Sequence, residues 1–225
     1  ITSNPFNAQT PLQPSGLLGP VRLLAPLSAV QVVIPLLADG FENPTTPNYQ
    51  YHPTGASWTF DAGSGISRNA SAFTSANPPA PEGLQVAFVQ GADAAISTQL
   101  NGLSPGAEYL LIFSAAQRAG YTGQTWNANI AGSVIGSFAP PNTATDYQDY
   151  TATFTASSTS SLLAFVGTNL NGGDSTVFID NVRVAQIAAF DPFLTWIDDT
   201  WPTLPNKAAG GDPDNDSIAN IVEYV

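Results

Sequence analysis

The chain has 225 residues, only 10% of them charged, and its 5 Lys and Arg against 17 Asp and Glu leave a formal net charge of −12. A nucleic-acid binder needs a basic footprint to displace counterions, and a helical bundle needs charged residues at helical spacing, so both classes are excluded. Without Cys there is no disulfide and no thiolate metal site.

Residues 1–28 carry Pro5, Pro11, Pro14, Pro20 and Pro26 around the pairs Leu17-Leu18 and Leu23-Leu24. Proline removes a backbone donor and disfavours helix in the residue before it, so an extended arm is expected. Its leucines need cover, which makes it a candidate donor strand for a neighbour's sheet. The apolar stretch Val21 to Leu37 is interrupted by Arg22, Pro26, Gln31 and Pro35 and falls short of the roughly 18 residues of a membrane helix.

Residues 29–187 read as strands. Tyr150, Ala152, Phe154 and Ala156 alternate with Thr151, Thr153 and Thr155, the period of a half-buried strand. Further runs lie at Leu84 to Val89, Ile96 to Leu100, Tyr109 to Phe113, Thr125 to Ile130, Ser161 to Val166 and Val177 to Val184. Turn clusters separate them, among them Asn77 to Gly83, Asn101-Gly102, Ser104-Pro105-Gly106 and Asn171-Gly172-Gly173. Eight to ten short strands at this spacing predict an all-β fold, an antiparallel jelly-roll sandwich.

Residues 188–225 change character. Asp191-Pro192 is a helix start, and Phe193, Ile197 and Trp201 give the following helix one apolar face before Pro202 and Pro205 end it. Beyond lies an EF-hand-like loop. Asp212, Asp214, Asp216, Asn220 and Glu223 place oxygen side chains at positions 1, 3, 5, 9 and 12, with the Ile218 carbonyl at position 7, which predicts Ca²⁺. Ser217 stands where a Gly normally permits the sharp turn, so affinity in the ~10⁻⁴ to 10⁻³ M range of extracellular modules is expected. The loop resembles the calcium repeats of thrombospondin type 3 and dockerin-like tails.

Asp180 sits in Val177-Phe-Ile-Asp-Asn-Val-Arg-Val184, and simple alternation puts it on one face with Phe178, Val182 and Val184. A carboxylate on an apolar face needs a partner, either backbone amides, Arg183 or a cation. The stretches Asp39-Gly-Phe-Glu42, Pro81-Glu-Gly-Leu-Gln-Val-Ala-Phe88, Phe113-Ser-Ala-Ala-Gln-Arg-Ala-Gly-Tyr121 and Gly173 to Val182 resemble galactose-binding-like jelly rolls, the architecture of many carbohydrate-binding modules. The resemblance spans roughly residues 30 to 186. It implies a structural calcium between the first and last strands, held by Glu42 and Asp180 with Asp39 beside them.

Signals for catalysis are weak: the one histidine, His52, has no nucleophile near it in sequence, and no Gly-x-Ser-x-Gly elbow is present. The expectation is a protein that is not an enzyme. Tyr121 and Trp126 are the aromatics placed to stack on a sugar, with Arg118 bonding hydroxyls, whereas Trp58 reads first as a core residue. Asn69-Ala-Ser71 matches the N-glycosylation pattern. Methionine is absent, position 1 included, so a processed or partial chain, secreted or surface-displayed, is expected. Two functions compete. The apolar arm, the aromatic helix and the scarcity of charge favour an extracellular structural subunit that assembles with copies of itself, as a filament or fibril. The family resemblance favours a carbohydrate-binding module.

Overall fold

The computed structural model describes residues 35–140 and 145–187; the arm at 1–28, the helix expected from Asp191 and the calcium loop at 212–223 lie outside the described residues. Twelve strands are found among the described residues: β1 (Leu37–Asp39), β2 (Tyr49–Tyr51), β3 (Thr59–Phe60), β4 (Ser64–Arg68), β5 (Gln85–Gln90), β6 (Ala95–Asn101), β7 (Glu108–Gln117), β8 (Trp126–Ile130), β9 (Ser133–Phe138), β10 (Gln148–Thr155), β11 (Ser160–Gly167) and β12 (Thr176–Gln186). One sheet runs β10-β7-β12-β5-β4-β2, with β1 also paired to β12; the other runs β3-β6-β11-β8-β9. Every pairing is antiparallel, and the fold is an all-β jelly-roll sandwich.

The core lies between the sheets. Ile66, Val89, Leu111, Phe113, Ile179 and Val184 of the seven-stranded sheet meet Ile96, Trp126, Leu163 and Phe165 of the other. β10 shows the expected alternation, with Phe154 buried and Thr151, Thr153 and Thr155 exposed. β7 runs four residues past the expected Phe113, because both faces of its second half are covered and small residues replace the alternation there. The outer face of the seven-stranded sheet carries a second apolar cluster, Val86, Phe88 and Phe178, packed by Tyr51, Phe73, Ala80 and Tyr147. The long connection from β4 to β5 lies over it. Asn77 fastens that connection by donating from Nδ2 to the Gln117 carbonyl (2.8 Å), and Asn69 Oδ1 accepts from Ala80 N–H (2.8 Å).

β12 is central, and its pairing changes halfway. β5 pairs with Thr176 to Ile179, and β1 with Val182 to Val184. A bulge falls between, where Asn181 takes a left-handed φ of 50°. This reverses the alternation of side chains. Phe178 belongs to the outer cluster, whereas Val182 and Val184 point into the sandwich. The simple period that put Asp180 on one face with all three is therefore corrected.

At the end of β12 the Leu36 N–H donates to the Val184 carbonyl and the Ile187 N–H to the Glu108 carbonyl, both through 2.7–2.8 Å bonds. The described region therefore begins and ends at one pole. The other pole carries the β7–β8 and β11–β12 connections.

Candidate functional site

The first candidate site sits where β12 exchanges β5 for β1. Asp180 is fully buried. Its Oδ2 accepts the Glu82 N–H (2.8 Å), and its Oδ1 has no hydrogen-bond partner. Glu42 reaches the same stretch from the other side: its Oε1 accepts from Leu84 N–H (2.8 Å) and Gln85 N–H (2.9 Å). Two glycines make this closeness possible. A Cβ on Gly83, whose φ is +62°, would lie 2.3 Å from the Glu42 carboxyl carbon, and one on Gly40 would lie 2.7 Å from that of Glu82. Asp39 does not face Asp180 through a hydrogen bond; it accepts from Phe41 N–H (2.7 Å) and Ser57 Oγ (2.6 Å). The bond to Phe41 supports a left-handed φ of 60° at a buried aromatic that packs at a tilt against Trp58, ring centres 5.1 Å apart.

Burial pushes the Asp180 carboxyl up to about 7; the N–H groups of Glu82 and Asn181 pull it down, and the nearby Glu82 and Glu42 carboxylates raise it further. Tyr147, whose buried hydroxyl also lacks a partner, is raised well above the phenol range by burial and by Asp180. Among the described residues the only salt bridge is Arg118–Asp174, so Glu42 and Asp180 form no ion pair there. Among those residues, too, no three Asp, Glu, His or Cys side chains converge as a ready-made metal cage. What suits Ca²⁺ is the donor chemistry: hard oxygens alone, one of them an orphaned buried carboxylate oxygen. The sequence pairing of Glu42 with Asp180 thus corresponds to a shared location at residues 82–85.

The second candidate site is a trough at the pole away from residues 35 and 187. A cleft of about 450 Å³ is lined by Thr122, Gly123, Thr125, Thr168, Asn169, Leu170 and Asn171. Thr125 and Thr168 also line a shallower dent beside it, which adds Trp126, Asn127, Ser137, Phe138 and Ala139. Their hydroxyls bond to each other at 2.8 Å. Gln124 and Asn169 stitch the walls together: Asn169 N–H donates to Gln124 Oε1 (3.0 Å), and Gln124 Nε2 donates to the Gly91 and Ser175 carbonyls. No residue lining either dent is charged. Leu170 is 85% exposed on one wall, and Tyr121, 46% exposed, precedes the other.

The expected ligand-binding set divides here. Tyr121 is at the surface as predicted. Trp126 is corrected: it is fully buried, stacked on Phe138 and edge-on to Phe113, because β8 turns alternate residues inward from Trp126. Arg118 is corrected as well. It is 6% exposed, its Nη1 bonds Asp174 Oδ2 at 2.6 Å, and its guanidinium carbon lies 3.9 Å from the Phe73 ring centre and 4.0 Å from that of Tyr121. Sequence reasoning missed the trough's polar lining, since Thr, Asn and Gly in turns carry no periodic signal. Asn69 is half-buried, and the Ser71 hydroxyl of its pattern is buried among Ser67 and Thr74.

No protein-family model and no curated protein matches the sequence. Solved structures match the fold. A cyclase from Fischerella sp. TAU, crystallised with 4-(1H-indol-3-yl)butan-2-one, is 23% identical over 72% of this chain and all of its own, with a TM-score of 0.55. A Stig cyclase from the same organism is 22% identical over 68% of this chain and all of its own, with a TM-score of 0.50. The CBM22 tandem of Xyn10C from Paenibacillus barcinonensis, a pair of carbohydrate-binding modules, is 16% identical over 73% of this chain at a TM-score of 0.50, and the match spans 49% of that tandem. At these identities the likeness shows the β-sandwich fold, and that fold serves both enzymes and non-catalytic binding modules.

Proposed function

We propose that the chain is a non-catalytic glycan-binding module of a secreted or surface protein, taking a neutral glycan in the trough beside Tyr121. One observation carries this: in a chain of net charge −12, the trough is lined by no charged residue, with Thr hydroxyls and Asn carboxamides beside apolar groups, exposed Leu170 on one wall and exposed Tyr121 next in sequence to Thr122 of the other. Sugars offer hydroxyls to such groups and C–H faces to such side chains, and need no charge in return. The CBM22 likeness supports the same reading. The alternative, self-assembly through the arm, gains no support from these comparisons. No helix among the described residues is long and apolar enough to cross a membrane, a statement that leaves strands aside.

The proposal includes a structural calcium. Glu42 and Asp180 would hold it, and main-chain carbonyls or water would complete its shell. Bound there, the ion supplies positive charge to a buried carboxylate and ties the start of the sandwich to its last strand. A second calcium is proposed for Asp212, Asp214, Asp216, Ile218, Asn220 and Glu223, outside the described residues.

Titration calorimetry against soluble neutral and acidic polysaccharides tests the reading. Saturable binding of a neutral glycan, weakened about tenfold or more by Tyr121→Ala, is the expected result, on the scale of a stacked aromatic. Equal binding by Tyr121→Ala, or preference for polyuronates, would overturn it.

A further inference from the structure

Arg118 makes contacts that its position in sequence gives no reason to expect. Three separate segments meet on it. Its guanidinium lies between Phe73 of the β4–β5 connection and Tyr121, the residue before Thr122 of the trough. Its Nη1 pairs with Asp174 of the β11–β12 connection, and its Nη2 donates to the Ala72 carbonyl at 3.3 Å. Beyond Phe73 the stacking continues to Tyr49, with ring centres 4.3 Å apart and planes at 18°. Asp174 is itself held, since its Oδ1 accepts from Gln90 Nε2 (2.7 Å) and Thr176 Oγ1 (2.9 Å).

We propose that Arg118 is the positioning residue of the trough, fixing the Tyr121 ring beside it by a guanidinium wedge that cannot itself reach a ligand. This rests on the glycan-binding reading and adds to it how the stacking aromatic is held. Tyr121 follows Gly120, whose φ is +79°, and is nearly half exposed; without a partner for its ring it would sample many orientations. A planar cation on one face of the ring leaves its other face available, and a partly buried ion pair keeps that cation in place. Lysine carries the charge without the plane, so it does not replace arginine here. Gln124 and Asn169 hold the trough walls by other bonds, so the walls outlast the loss of the wedge.

The test uses the full chain and two readouts. Without any glycan, nitrogen-15 spectra are expected to show a slowly exchanging Arg118 Nε–H, since that nitrogen is buried and without a partner, and Tyr121→Ala is expected to shift and hasten it. With the neutral glycan that binds best, Arg118→Lys is expected to lose affinity about fivefold, the scale of a cation–π contact. Arg118→Lys combined with Tyr121→Ala is expected to bind as weakly as Tyr121→Ala alone. Rapid exchange of the Nε–H in the intact chain, wild-type affinity in Arg118→Lys, or additive losses in the double variant each overturn the proposal. A slow Nε–H signal in a chain that binds no glycan would sink the glycan-binding reading and leave the wedge standing.

Discussion

Asp180 combines full burial, one satisfied oxygen and one orphaned oxygen, with two further carboxylates at the same stretch of backbone. Its folded value of about 7 lies above the ordinary 3.8. Between roughly pH 4 and 7 the native state therefore holds a proton that the unfolded chain has released. The contribution of this group to stability is complete below about pH 4, falls as pH rises to about 7 and is level above, for a total of roughly 4 kcal/mol. Urea titrations in EDTA from pH 4 to 8 are expected to show that decline, and Asp180→Asn to flatten it. Trp126→Ala is expected to cost about 3–5 kcal/mol of stability as a core truncation, whereas Tyr121→Ala leaves the unfolding midpoint nearly unchanged. The two aromatics look alike in sequence, because nothing local distinguishes an inward Trp opening a strand from an outward Tyr at a loop tip.

At the scale of elements, the strands with a strong period were legible. β5, β6, β8, β10, β11 and β12 all fall where their apolar runs predicted. β2, β3, β4 and β9 were not, because Tyr49–Tyr51, Thr59–Phe60, Ser64–Arg68 and Ser133–Phe138 are short or rich in Ser and Gly and are strands by virtue of their neighbours. The bulge in β12 was equally hidden: Asp180-Asn181-Val182 reads as plain alternation, yet the left-handed Asn181 moves Val182 to the other face. Glu42 and Asp180, brought together by the resemblance and not by spacing, both bond backbone N–H groups of residues 82–85. The junction they share depends on its glycines. Gly83→Ala would force a Cβ against Glu42 at a positive φ, at a cost of about 1–3 kcal/mol. It is also expected to shrink the rise in melting temperature that calcium gives the wild type. The comparison is made in an Asp214→Asn, Asp216→Asn background, so that the 212–223 loop does not contribute; an unchanged rise would separate calcium from this junction.

For the whole molecule, net charge sets which ligands can approach. Twelve negative charges in excess repel polyanions over a Debye length of about 10 Å at 0.1 M salt, while a neutral chain meets no such field. Affinity for a neutral glycan is thus expected to change little between 50 mM and 500 mM NaCl. Any binding of a polyuronate is expected to strengthen over the same range, which calorimetry can follow. Composition carries no trace of the trough, which emerges only when separate turns come together at one pole. β12 spans from that pole to the other in eleven residues, roughly 30 Å or more of strand. A probe or cross-link placed at residue 35 or residue 187 would consequently sit on the far side of the sandwich from Leu170, leaving the trough unobstructed.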